Sequence, residues 1–196
     1  MLSLKKIAIT GGIASGKTTV CHILKRHAAH SFNSDQVIHQ LLSQDKDVIN
    51  QVTSLLGSSI IFDGKISKKK VAEIVFSDNQ KLKLLETILH PHLFKRMRKE
   101  YERVSNLGIY RFFVAEMPLV QEVKKEKFFH AIIAILCDEE RAKQRTNLAE
   151  EEYTKRMNHQ WPIKKKAKYA DYTIMNNGSI KELEQQVLNI IEIINE

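Results

Sequence analysis

Eight residues near the start of this 196-residue chain, Gly11-Gly12-Ile13-Ala14-Ser15-Gly16-Lys17-Thr18, fit the phosphate-loop pattern G-x-x-x-x-G-K-[ST]. The pattern constrains the fold because it works only between a strand and a helix. Both flank it here. Lys6 to Thr10 reads as a short buried strand, and Thr19 to Ala29 as an amphipathic helix with Val20, Ile23 and Leu24 on one face. The glycines remove Cβ atoms, so backbone N–H groups can curl around an anion. The helix start adds unpaired donors and partial positive charge. Lys17 reaches outer phosphates as a flexible point charge, and the Thr18 hydroxyl can bind a Mg²⁺ that also holds phosphate oxygens. We expect a nucleotide-phosphate site on Gly11, Gly12, Ala14, Ser15, Gly16, Lys17, Thr18 and Thr19.

Further strands are expected at His30 to Asn33, Tyr110 to Glu116, Ala131 to Cys137 and Tyr172 to Ile174. The two longer ones are continuous apolar runs, as parallel strands covered on both faces require. Ser34 and Asp35 are good helix-capping types, and Asp35 to Asn106 reads as almost wholly helical. Asp63-Gly64 makes a turn within that stretch. Ser67 caps a helix bearing Val71, Ile74, Val75 and Phe76. Leu82, Leu85, Ile88 and Leu89 continue an apolar face, and Pro91 opens the next helix in its first turn. Ser179 caps a last helix with Leu183, Val187, Ile190 and Ile194 on one face. Strands separated by helices imply an α/β fold: a P-loop-type parallel sheet flanked by helices. The helical middle is too long for one crossover and reads as an insert over the strand ends, where ligands bind.

Composition excludes several classes. No apolar run approaches a membrane span, and with no long apolar stretch from Met1 to Lys6 we expect no secretory signal. Cys21 and Cys137 lie far apart and read as buried free thiols in a reducing cytoplasm. The eight histidines show no metal spacing. A net charge of +8 suits polyanionic partners, yet Lys68-Lys69-Lys70, Lys124-Lys125 and Lys164-Lys165-Lys166 read as solvated helix faces.

A phosphate loop needs opposing acids and further cations. Asp35 follows a strand at the lip of the sheet, where a carboxylate can accept the proton of an attacking hydroxyl. Glu116 ends the apolar strand Phe112-Phe113-Val114-Ala115, a position from which an acid orients Mg²⁺ through water. Arg141 and Arg145, at i and i+4, share a helix face that could clamp phosphates. Arg156 lies on the next helical stretch.

Taken in order, these residues resemble the dephospho-coenzyme A kinase family over nearly the whole chain. The resemblance runs through Ile9 to Thr18, Asn33-Ser34-Asp35 (the family's Asp-Ala-Asp), Asp63-Gly64 and Leu89-His90-Pro91. It continues through Pro118-Leu119-Val120-Gln121-Glu122 (similar to Pro-Leu-Leu-x-Glu), Arg141 with Arg145, Gln160, Lys166, Ala170-Asp171 and Asn176-Asn177-Gly178. It implies ATP-dependent phosphorylation of the 3′-hydroxyl of dephospho-CoA, giving CoA and ADP. It implies Asp35 as base, with Lys17 and Arg145 as the other catalytic groups, and Arg141, Asn177 and Gly178 at the nucleotide. His90, Lys68 and Glu122 fall on the substrate side, and Thr18 with Glu116 at Mg²⁺. The implied domains are a core of residues 1–34, 107–137 and 170–196, a CoA-binding insert of 35–106 and a lid of 138–169. The implied protein is a monomer or weak homo-oligomer acting on a small molecule, without nucleic acid or membrane.

Three positions depart from the family pattern. Asn33 replaces its first aspartate, keeping an acceptor but losing a charge. Glu116 stands where aspartate is usual, and Lys68 where arginine is common. The nearest rival is another small-molecule or nucleoside monophosphate kinase. A nucleic-acid-binding NTPase would interleave aromatics with its basic patches, and here Lys164 to Lys166 adjoin only Trp161 and Tyr169.

Overall fold

The strand that feeds the phosphate loop lies at the middle of a parallel sheet, and its residues explain why. Along the chain, β1 (Lys5–Gly11) is followed by α1 (Lys17–Lys25), β2 (Ala29–Asn33), α2 (Ser34–Gln44), α3 (Lys46–Leu56), β3 (Ile61–Phe62), β4 (Lys65–Ile66), α4 (Lys68–Val75) and α5 (Asn79–Leu107). Then come β5 (Phe112–Glu116), β6 (Ala131–Leu136), α6 (Glu139–Gln144), α7 (Glu150–Asn158), α8 (Ile163–Lys168), β7 (Tyr172–Met175) and α9 (Ile180–Asn195). This is a computed structural model, and it describes residues 4–196.

The chain forms two units: residues through Asn33 with Arg103–Glu196, and Ser34–Glu102. The first holds the five-stranded sheet, in the order β2-β5-β1-β6-β7 with every pairing parallel. Ile7 and Ile9 of β1 are fully buried, and all of β5 is buried. Burying one such isoleucine contributes about 1.5–3 kcal/mol. Register sets the sheet's functional edge: Glu116 lies abreast of Ile9 on one side and of Asn33 on the other, and Gly11 abreast of Ile135.

The helices of this unit cover the sheet with the faces their spacing predicts. α1 buries Val20, Cys21, Ile23 and Leu24. It stops at Lys25, short of the expected Ala29, because Ala28 turns the chain at φ 55° and Ala29 already belongs to β2. α9 opens with a reciprocal capping box between Ser179 and Glu182 and buries Leu183, Val187, Ile190, Ile191 and Ile194. These join Ile7, Val20, Ile133 and Ile174 in one core.

The second unit has its own core, built from Leu41, Val48, Val52, Ile60, Val71, Val75, Leu85 and Leu89. Three expectations need correction here. Asp63-Gly64 turns a small antiparallel hairpin, β3 against β4, so the stretch is less wholly helical than its sequence suggests. α2 begins at Ser34, which places Asp35 in the first turn instead of at the cap. Pro91 does not open a helix: α5 runs through it for 29 residues. Proline lacks an N–H, so the helix gives up the bond to the Thr87 carbonyl there. The long apolar face, with Leu85 and Leu89 buried before the proline and Leu93 and Met97 after it, offsets that loss.

Candidate active site

The phosphate loop is built as its glycines require at two positions. Gly11 has φ 146° and Gly16 φ 99°, and a Cβ on Gly16 would collide with the Asn176 amide nitrogen. Gly12 has room for a side chain, since a Cβ there would meet only Met157 at 3.5 Å. Ala14 adopts φ 53°, so the loop holds one non-glycine residue in the left-handed region.

Lys17 folds over its own loop, donating to the carbonyls of Gly12 at 2.7 Å and Gly11 at 3.3 Å. Beside it, the Thr18 hydroxyl donates to Glu116 Oε1 at 2.7 Å, and Asn33 Nδ2 donates to Glu116 Oε2 at 2.7 Å. The strand register makes this trio: β1 leads to Thr18, β2 ends in Asn33 and β5 in Glu116. The asparagine thus supplies a hydrogen bond that an ionised aspartate could not, and it occupies the second carboxylate oxygen of a residue that is 7% exposed.

A cavity of about 420 Å³ opens on this loop, lined by Ala14, Gly16, Lys17, Thr18, Thr19, Glu116, Arg145, Asn176, Gly178, Ile180 and Leu183. Gly12 and Ser15 line a separate cavity of about 250 Å³, with Cys137, Tyr153 and Met157. Arg145 follows α6, and its Nη1 donates to the Asn176 carbonyl at 3.2 Å and lies 3.5 Å from Cys137 Sγ. Arg141 takes a different course from the one expected: half exposed, it faces Asp138 at 4.0 Å and does not line the 420 Å³ cavity. Arg145 lies just past the end of the short helix α6, so the i, i+4 spacing does not bring the two guanidiniums to one target. Arg156 pairs with Glu152 at 2.6 Å.

Asn176 is one residue whose role the sequence does not announce. Its side chain is buried, and Nδ2 donates to the Ser15 carbonyl at 2.8 Å. That bond turns a carbonyl dipole toward the amide and away from any anion in the loop. Its signal in the sequence was only its place before Asn177-Gly178. Asn177 Oδ1 accepts from the Asp138 N–H at 2.9 Å, which fixes the turn at the cavity's far end. There Gly178, Ile180 and Leu183 form a wall, with Ile180 60% exposed.

The other expected site residues lie elsewhere. Asp35 sits exposed in the first turn of α2, Lys68 exposed in the first turn of α4 behind the Ser67 cap, and His90 half-buried on α5 with its ring 6.0 Å from that of Phe94. All three belong to the second unit. Glu122, expected to face substrate, is held internally: Oε1 meets Lys166 Nζ at 2.7 Å and the Trp161 N–H at 2.8 Å, and buried Oε2 has no hydrogen-bond partner among the described residues. Lys166 is correspondingly buried, unlike the solvated Lys164 and Lys165, because Glu122 compensates its charge. Cys137 is half-buried, and Cys21 is fully buried. Among the described residues no cluster of three metal-ligating His, Cys, Asp or Glu side chains occurs, and no helix is long and apolar enough to cross a membrane.

A parallel sheet that places a glycine-rich loop, an invading lysine and a hydroxyl–carboxylate pair at the mouth of one cavity defines a P-loop kinase. The dephospho-CoA kinase family model matches residues 5–182. A dephospho-CoA kinase of Protochlamydia amoebophila (strain UWE25) is 39% identical over 197 residues, covering 98% of this chain and 97% of the relative. Among solved structures, TT1252 from Thermus thermophilus superimposes with a TM-score of 0.82 at 25% identity, over 97% of this chain and 98% of its own. The dephospho-CoA kinase from Campylobacter jejuni gives a TM-score of 0.70 at 26% identity, over 97% and 96%. The chain belongs to the dephospho-CoA kinase family and is an ATP-dependent kinase.

Proposed function

We propose that this chain transfers the γ-phosphoryl group of ATP to the 3′-hydroxyl of dephospho-CoA, giving CoA and ADP, with the roles that follow. The outer phosphates of ATP lie on the N–H groups of residues 11–19, and Lys17 leaves the Gly11 and Gly12 carbonyls to meet them. Arg145, at the wall of the same cavity, adds a second cation on the transferring group. Removing one preorganised donor of this sort costs about 3–4 kcal/mol of transition-state stabilisation. Asn177 and Gly178 border the adenine, and exposed Ile180 offers it an apolar face. Arg141, held by Asp138, serves the nucleotide only from the rim.

A Mg²⁺ fits the donors present. Thr18 and Glu116 offer a hydroxyl and a carboxylate, both hard oxygen ligands, and Mg²⁺ is commonly held by one or two protein oxygens together with phosphates and water. When bound, the ion would neutralise charge on the β- and γ-phosphates. Asn33 and Thr18 hold the carboxylate in place meanwhile.

Asp35 accepts the proton of the 3′-hydroxyl as its oxygen bonds to phosphorus and the bond from phosphorus to the ADP oxygen breaks. Proton transfer comes late, because the transition state is loose. What supports Asp35 is its place in the chain, two residues beyond the Asn33 that contacts Glu116, and its match to the family motif. Residues 35–106 receive dephospho-CoA, with His90 and Lys68 among the contacts. Residues 138–169 form the lid, and the remainder is the nucleotide core. The protein works on small molecules alone, without nucleic acid, in the cytoplasm.

The observation that carries the reading is the Thr18–Glu116 pair beside Lys17 in one cavity. The test is Asp35→Asn, assayed by ADP release and by product mass. Turnover is expected to fall at least a hundredfold with ATP affinity unchanged. Parental turnover would remove Asp35 from the role of base.

A further inference from the structure

Three lysines stand side by side at the start of α8, and only one turns inward. Lys164 and Lys165 are exposed, with Lys165 Nζ 3.6 Å from the centre of the Trp161 ring. The Lys166 side chain is 1% exposed. Its ammonium lies 2.7 Å from Glu122 Oε1 and donates to the Pro118 carbonyl. Nothing in the phosphoryl-transfer scheme above uses it.

The Pro118 carbonyl is a junction. It also accepts from the Thr10 hydroxyl at 2.9 Å, and Thr10 is the residue immediately before Gly11. Pro118 stands two residues beyond Glu116, and the Met117 N–H between them donates to the Ile9 carbonyl at 3.0 Å. The turn is bound to α8 from the other side as well: Gln121 Nε2 donates to the Lys166 carbonyl at 3.0 Å. One buried cation therefore joins the lid-side helix to the ends of the two strands that carry the phosphate loop and the Thr18-bound carboxylate.

We propose that Lys166 is a positioning residue for phosphoryl transfer: held between Glu122 and the Pro118 carbonyl, it fixes the relative placement of the phosphate loop and Glu116. Stability alone is a poor account of such a pair. Two buried charges lose hydration that their attraction barely restores, and apolar replacements of matched volume are often as stable. Burial indeed pushes the Lys166 ammonium below its ordinary pKa, with Glu122 pulling it back up. What an ion pair supplies that two apolar side chains cannot is a donor with a fixed direction, here aimed at one carbonyl. Phosphoryl transfer depends on such placement, and a displacement of about 1 Å can cost about 10²-fold in rate. Glu122 acts through Lys166 on this view and does not touch the acceptor.

The test is steady-state kinetics on the full chain carrying Glu122→Leu with Lys166→Met, which removes both charges together. Single variants would strand a buried charge and confuse unfolding with misplacement. The double variant is expected to melt within about 5 °C of the parent, a shift on the order of 1–2 kcal/mol for a chain of this size. Its KM values for ATP and acceptor should stay within about threefold while kcat falls by about 10- to 100-fold. A kcat within threefold of the parent would overturn the proposal, and so would a fall that merely tracks the folded fraction. Thr10→Val gives an independent arm that holds even if the double variant does not fold. It removes the second donor to Pro118 and leaves the ion pair intact. We expect kcat to drop about tenfold with KM values kept, and a parental kcat there would also overturn the proposal. Failure of this test leaves the kinase reaction and the role of Asp35 untouched, because product identity is measured in the same assay.

Discussion

Thr18 and Glu116, 98 positions apart in the chain, meet at 2.7 Å through a hydroxyl-to-carboxylate hydrogen bond. Replacing Glu116 by Gln keeps an acceptor for Thr18 but removes the charge. kcat should fall by about 10²-fold and the Mg²⁺ concentration for half-maximal rate should rise, measured by titrating the metal at saturating ATP. An unchanged Mg²⁺ dependence would separate Glu116 from the ion.

Arg145 is anchored on the Asn176 carbonyl at the cavity wall, and its loss should touch chemistry more than folding. Arg145→Ala is expected to lower kcat by about 10²- to 10³-fold, the scale for one preorganised donor. Its melting temperature should remain close to the parent's. A normal rate with a lowered melting point would make the residue structural. Arg141→Ala, by contrast, breaks only a half-exposed 4.0 Å contact with Asp138 and should change kcat less than threefold.

Asn176 offers a sharper test of the phosphate loop itself. Asn176→Asp retains the shape but replaces the donor to Ser15 by an oxygen, and two acceptors then face each other. An unsatisfied buried acceptor costs about 1–3 kcal/mol. The KM for ATP should rise roughly 10- to 100-fold with the KM for dephospho-CoA unaltered. Equal changes in both would show that the variant distorts more than the loop.

Cys21 should be silent until the chain opens. Burial, and next the Glu116 carboxylate, push its thiol from 9.0 up to about 12. The unfolded thiol therefore ionises first, and the folded state binds more protons between those values. Stability from this group is complete below pH 9 and is lost as pH rises toward 12, with a slope approaching about 1.4 kcal/mol per pH unit. Urea midpoints at pH 8 and pH 10.5 should fall more steeply for the parent than for Cys21→Ala. In native protein a thiol reagent should label Cys137 alone, with Cys21 reacting only in denaturant.

Much of this architecture could be read before any coordinates, and the reason is local. Three of the five sheet strands announce themselves as apolar runs or as the flank of a glycine loop, and Ser179 declares the start of α9. What stayed hidden depends on distant partners. Lys166 looks like its two exposed neighbours until Glu122, 44 positions earlier, is seen against it. Asn176 has no local pattern, since its acceptor is 161 residues away. The two-residue strands β3 and β4 are too short to show alternation, and Pro91 carries a helix-breaking signal that the buried face of α5 overrides. Helical spacing pointed Arg141 and Arg145 the same way, but α6 ends between them.

The bond from Asn176 to Ser15 makes the shape of the phosphate loop depend on a distant segment. The loop's Ser15 carbonyl is oriented by a residue 161 positions later, on the segment that leads into α9, whose apolar face shares a core with Val20 and Cys21. Chains truncated before residue 176 should hold the loop's letters without its shape. Nucleotide capture would then depend on the docking of α9 against α1.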